Sequence, residues 1–177
     1  MSEDKSKALL EFLLTRRSIR RFKPDKPPIE LVLKVLDVAR YAPSARNLQP
    51  WEFIIVDDAE IKNKLAELHV GAAPLKNAPM AIAVVSDKDI SPVSYLVDGA
   101  NAAIYILLGL HAVGLGGVWI QTLRDTERIQ EILGLPKNKI PVAIIAIGYP
   151  DEQPKPKQRK PLEELVHYNR YGERIKH

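Results

Sequence analysis

The chain has 177 residues, is 46% hydrophobic, and carries 26 Lys and Arg against 22 Asp and Glu for a formal charge of +4. That length and content fit one globular domain with a sizeable core and exclude a disordered chain, while the charge excess is too small and too spread out to indicate nucleic acid by itself. Cysteine is absent, which excludes disulfides, thiolate nucleophiles and Cys-ligated metals.

The opening MSEDKSK is charged and lacks an apolar h-region, so no secretory signal is read and a cytoplasmic location is expected. Residues 5–15 place Leu9, Phe12 and Leu13 on one helical face. They lead into TRRSIRRF (15–22), where Arg16, Arg17, Arg20 and Arg21 crowd one serine. FKPDKPP is a proline-rich connector that cannot be helical throughout. A second helix is predicted from Ile29 to Tyr41, with Val32, Val35, Leu36 and Ala39 on one face and Pro43 as its stop. WEFIIVD (51–57) has strand composition, and Asp58 is placed to cap a helix whose Ile61, Leu65 and Leu68 face inward.

After Pro79, AIAVVS reads as a buried strand. A long helix is predicted over roughly 93–113, followed by GGVWIQ as a strand. Ile129, Ile132 and Leu133 mark another helix closed by Gly134, and PVAIIAIGYP (141–150) is again a buried strand. From Asp151 the character changes: DEQPKPKQRKP has no aliphatic residue and reads as an extended arm, after which LEELVHYNRYGERI resumes amphipathic character. An arm followed by an apolar face suggests a segment reaching a second subunit. The interspersed elements, with no internal repeat and no second domain, give an α/β or α+β sandwich.

NAAIYILLGLHAVGLGGVWI (101–120) is long enough for a membrane span, but it holds Asn101, His111 and four glycines and lacks flanking Lys and Arg clusters. It is read as a soluble helix, apolar on nearly all sides, whose cover includes a partner subunit.

Four segments are candidates for chemistry. RRSIR offers planar, permanently charged forks suited to a phosphate, although a solvated basic face at a helix end would look the same. In YAPSARNLQPWEF, Asn47 and Gln49 can pair with the donor and acceptor edge of a heteroaromatic ring while Pro43 and Pro50 stiffen the loop; local backbone capping is the plainer use. GLGGVWIQ exposes backbone N–H groups and lets a flat ligand approach, or simply ends a helix; it matches neither a Walker loop nor a dinucleotide fingerprint. KPKQRKPLEEL is either a solvated linker or the far half of the same anion site. His69, His111, His167 and His177 show no metal-ligand spacing, so no metal is expected.

RRSIRRF, APSARNLQPWEF, KNAPMAIAVV, DGANAAIYILLGLHAVGLGGVWI and RKPLEELVHYNRYGE, in that order over nearly the whole chain, resemble the short form of the nitroreductase family of FMN-dependent oxidoreductases. The resemblance implies an α+β three-layer sandwich with a mostly antiparallel sheet, forming an intertwined homodimer. In it residues 1–177 are one domain and 151–177 an arm reaching the partner. It further implies that Arg16, Arg17, Ser18 and Arg20 grip FMN, with Arg20 nearest the N1/O2 edge of the ring. Pro43, Ser44 and Asn47 would approach the flavin from the other subunit, Gly116 and Gly117 would face N5 and O4, and Arg159, helped by Lys160, would close on the phosphate; Gln49, from its amide in the same loop, is counted with the cofactor-binding residues. Arg21 receives no role.

The implied chemistry belongs to the cofactor. NAD(P)H delivers hydride to flavin N5, leaves, and is replaced by a quinone, nitroaromatic or similar small-molecule acceptor in a ping-pong cycle, with no catalytic side chain named. The connector DKDISPVSYL is shorter than in longer relatives, so acceptor specificity does not carry over. A specialised FMN reaction of the same fold, reductive dehalogenation or substrate dehydrogenation, is the alternative; a basic nucleic-acid module is a distant third. Neither nucleic acid nor membrane is expected as a partner.

Overall fold

Residues 2–175 are described in a computed structural model of the chain. Strands β1 (Trp51–Val56), β2 (Met80–Asp87), β3 (Gly116–Gln121) and β4 (Lys139–Gly148) form one sheet in the order β1-β2-β4-β3, with every neighbouring pair antiparallel. Side chains alternate across a strand. Met80, Ile82 and Val84 therefore join Ile145 and Ile147 in one core, while Ala81, Ala83, Ile144 and Ala146 serve the other. Apolar runs without polar alternation are what two covered faces require. Pro141 has no N–H for the ladder, and the register shifts beside it: Val84 pairs with Ala143 but Val85 with Pro141, leaving Val142 as the extra residue.

Helices cover both faces. On the first lie α2 (Ile29–Ala39) and α4 (Tyr95–Ala112), which bury Val32, Val35, Ala102, Ala103, Ile106 and Leu110. On the second lie α3 (Ala59–Ala66), α5 (Thr126–Leu133) and the 3-10 segment Val70–Lys76, with Leu65, Leu75 and Ile129 fully buried. The result is the three-layer α+β sandwich expected. Asp58 caps α3, accepting from the Ile61 N–H at 2.9 Å. Gly134 closes α5 in the left-handed conformation at φ 67°, and Gly114 does so after α4 at φ 77°, where Leu115 N donates to Leu110 O at 2.8 Å.

Some boundaries differ from the sequence reading. α1 spans Glu3–Thr15 with Ser2 as its cap, and α2 ends two residues before Tyr41. The 3-10 segments Val70–Lys76 and Ala45–Asn47 carried no periodic signal. LEELVHYNRYGERI forms only a single helical turn, α6 (Leu162–Leu165), with Tyr168 and Tyr171 exposed. His177 lies outside the described residues.

The long helix is covered on one side only. Within one copy of the chain, 39% of α4 is buried, and Val97 and Ile104 look outward. α1 buries no residue at all, leaving Leu9, Leu10, Leu13 and Leu14 exposed.

Candidate functional site

The arginine segment is held by its two apolar residues. Ile19 and Phe22 sink into the second core, so the arginines between and beside them are left toward the surface. Backbone bonds fix the strip along the sheet: Ile19 N donates to Gly117 O at 3.1 Å, and Lys23 N to Tyr149 O at 2.9 Å. A Cβ on Gly116 would come within 2.7 Å of Ile19, and one on Gly117 within 2.9 Å of Leu110. The missing side chains are thus required by protein packing, a cause the sequence reading did not weigh beside ligand approach.

Both ends of the chain meet at one cleft. Arg16, Arg17, Ser18 and Arg20 from the first segment line a cavity of about 280 Å³ with Lys155, Lys157 and Arg159 from the arm. The arm is rooted there by Glu152, whose carboxylate accepts from the backbone N–H groups of Arg20 and Arg21 and lies 3.7 Å from the Arg21 guanidinium. Those two amides and the Arg21 charge hold Glu152 below the usual carboxylate range, against the opposing effect of burial.

None of the six cleft cations has a carboxylate partner among the described residues. Arg16 is pushed below its ordinary value by partial burial, then by the charges of Arg17 and Arg159. Uncompensated, converging cations are an anion site in waiting, since a bound dianion removes the repulsion and gains charge-assisted hydrogen bonds. A second cleft of about 320 Å³ adjoins it, reached by Arg16, Arg17, Gly117 and His111. His111 bonds Thr15 Oγ1 at 2.9 Å and stacks on Phe12, and burial followed by Arg16 and Arg17 pushes its pKa down.

The amide-bearing loop lies elsewhere. Asn101 Nδ2 donates to Pro43 O at 2.9 Å, and Ala45 N donates to Asp98 Oδ1 at 2.9 Å. The loop is therefore tied to the N-terminal half of α4, whereas His111 and the arginine cleft sit at its C-terminal end. From Asp98 to His111 the helix axis advances about 20 Å. Inside the loop, Gln49 N donates to Ser44 Oγ and Gln49 Nε2 to Asn47 O, each at 3.0 Å. Arg46, Asn47 and Gln49 all have positive φ, at 51°, 57° and 49°. Non-glycine residues held there cost on the order of 1–3 kcal/mol each.

The expected residues thus fall into two groups. Arg16, Arg17, Ser18, Arg20 and Arg159 share the cleft, with Gly117 beside it; Pro43, Ser44, Asn47 and Gln49 are at the other end of α4. Lys160 does not line the cleft. The arm lines it with the consecutive residues Pro154, Lys155, Pro156 and Lys157 and then with Arg159. Glu152 lies outside every segment that carries the resemblance, and Asp98 opens one of them, DGANAAIYILLGLHAVGLGGVWI, without a role of its own.

The structure can be set beside known proteins. The family model described as the nitroreductase family matches residues 13–95 and 69–149. A protein of Methanothermobacter thermautotrophicus, provisionally named NADH dehydrogenase/NAD(P)H nitroreductase, is 40% identical over 151 residues, 82% of this chain and 79% of that protein. An iodotyrosine deiodinase of Thermotoga neapolitana is 31% identical over 191 residues, 93% of this chain and all (100%) of that protein. Among solved structures, an FMN-dependent nitroreductase of Clostridium difficile R20291 superposes with a TM-score of 0.84 at 37% identity, covering 92% of this chain and 99% of the other. With a family model matching most of residues 13–149, a relative 40% identical over 82% of the chain and a shared fold, this chain belongs to the nitroreductase family.

Proposed function

We propose that the protein is a cytoplasmic, homodimeric FMN-dependent oxidoreductase that uses NAD(P)H to reduce quinones, nitroaromatics or similar small acceptors. The observation that carries this reading is the cleft where Arg16, Arg17, Arg20, Lys155, Lys157 and Arg159 converge with no carboxylate partner among the described residues. Its donor set fits the phosphate of a flavin mononucleotide, because planar forks and a serine hydroxyl suit a dianion.

The separation of the two groups along α4 supports the dimer. A two-fold axis crossing α4 near its middle sets the N-terminal end of one helix beside the C-terminal end of the other. One copy's 43–49 loop then stands next to its partner's arginine cleft, and the exposed stripe of Val97 and Ile104 is covered. In this arrangement residues 151–177 reach across as an arm, and the domain is completed only by its second copy.

When bound, FMN would supply the redox chemistry, relaying hydride from NAD(P)H to the acceptor in a ping-pong cycle. The chain's residues bind and orient. Arg16, Arg17, Ser18, Lys157 and Arg159 would hold the phosphate, Arg20 would offset negative charge at the pyrimidine edge of the ring, and Pro43, Ser44, Asn47 and Gln49 would set the ring from the partner. Gly116 and Gly117 bring the β3 backbone alongside.

The visible absorption spectrum of purified protein supplied with FMN, measured with its mass in solution, tests the reading. One flavin per chain on a dimer, bleached by NAD(P)H and restored by menadione, is expected; colourless monomers refute it. The likeness to an iodotyrosine deiodinase favours a second reading, a specialised dehalogenating enzyme of the same fold. Flavin that neither nicotinamide reduces, with turnover of a halogenated phenol under chemical reduction, would select it.

A further inference from the structure

The 43–49 loop has an unusual backbone that its own sequence does not explain. Arg46, Asn47 and Gln49 are left-handed, and none is glycine. Such conformations persist only where the surroundings over-determine them. The grip here comes from α4. Asp98 is 2% exposed and forms no ion pair among the described residues. One of its oxygens accepts from Ala45 N at 2.9 Å and the other from Ser91 Oγ at 2.8 Å. Three residues on, and so on the same helical face, Asn101 holds Pro43 O. At the far end of the loop, Pro50 O accepts from Asp87 N at 2.8 Å, tying it to β2. The left-handed run is therefore clamped at both ends.

We propose that Asp98 and Asn101 act as a latch that preorganises this loop for its ligand, making them positioning residues for the flavin ring. The inference rests on the flavin reading above and adds two residues to it. A buried carboxylate without a counter-ion is costly, and packing alone would be served by an apolar side chain. Its use here is to hold a backbone N–H that no other group satisfies. The latch matters for the ring and not for the phosphate, because neither the 43–49 loop nor Asp98 or Asn101 lines the cationic cleft, and the loop is assigned above to the ring.

The test compares Asp98→Ala, Asp98→Asn and Asn101→Ala with the wild-type dimer. FMN affinity is read by quenching of flavin fluorescence, and inorganic phosphate binding by its stabilisation against heat. Asp98→Ala and Asn101→Ala are each expected to weaken FMN about tenfold, the scale of one or two lost hydrogen bonds, with phosphate binding unchanged. Asp98→Asn keeps an acceptor for Ala45 N and is expected to stay within about twofold of wild type. Equal losses of FMN and phosphate would mean general loosening of the fold and would overturn the latch, as would unchanged FMN affinity in both alanine variants. Wild-type protein that takes up no FMN would instead bring down the flavin reading itself. Should Asp98→Ala fail to fold, Asn101→Ala decides alone.

Discussion

The sheet with its two helical layers and the two chain ends follow opposite rules. Around β2 and β4 the protein finishes its own burial: Met80, Ile82, Ile144, Ile145 and Ile147 are all inaccessible. At the ends it does not. α1 buries nothing, and Leu162, Leu165, Tyr168 and Tyr171 remain exposed in the tail. Large apolar surfaces left bare by one copy mark an interaction surface, and Leu14 of α1 also lines the cleft whose cations have no carboxylate partner among the described residues. The contrast teaches that the fold is made by the middle of the chain, while the site is made by its ends and depends on what they meet.

The comparison can be broken most directly at α1. Replacing Leu9, Leu10, Leu13 and Leu14 by Glu should abolish self-association, since each buried leucine is worth about 1.5–3 kcal/mol. Sedimentation should then show monomers with an unchanged far-UV circular dichroism spectrum. In the middle of the chain, Ile145→Ala should cost about 2–5 kcal/mol in urea unfolding, a loss that added partner cannot repair.

The cleft sharpens the distinction further. Arg16→Ala should weaken FMN by about 1.5–3 kcal/mol, roughly 10- to 150-fold, as a lost hydrogen bond to a charged group, with little effect on folding. Its removal should even relieve repulsion in the apoprotein, seen as an unchanged or higher melting temperature without ligand.

The smallest effect concerns pH. His111 has a folded-state pKa below its ordinary 6.5, so between the two values the unfolded chain binds more protons than the folded one. Stability should therefore be fullest above about 6.5 and be lost as pH falls toward the depressed value, at no more than about 1.4 kcal/mol per pH unit. His111→Asn should flatten that slope in apoprotein melts. Phosphate should shrink it in the wild type, because the bound anion offsets Arg16 and Arg17.

Much of this could be read from residues because the physics was local. The apolar runs at 51–56 and 80–87 became strands, and Asp58 and Gly134 took up their helix-end positions, since capping and strand composition act over a few residues. The arginines drew attention through their density. What stayed hidden depends on distant neighbours. Glu152 is separated from Arg20 by most of the chain, and Asp98 meets Ala45 only because α4 crosses the loop. A Cβ at Gly116 or Gly117 would meet Ile19, Leu110 and Ile145, a packing demand that GLGG alone does not reveal. Lys155 and Lys157 line the cleft and Lys160 does not, a difference set by the course of the arm over the arginine segment and not by its composition.

By itself the sequence determined the kinds of element, their caps and the cationic character of both ends, because propensity, periodicity and charge are properties of short stretches. Tertiary structure alone decided the strand order, the meeting of the arm with the arginines, and the distance between that cleft and the 43–49 loop. Those follow from which surfaces bury each other, a choice made among residues far apart in the chain.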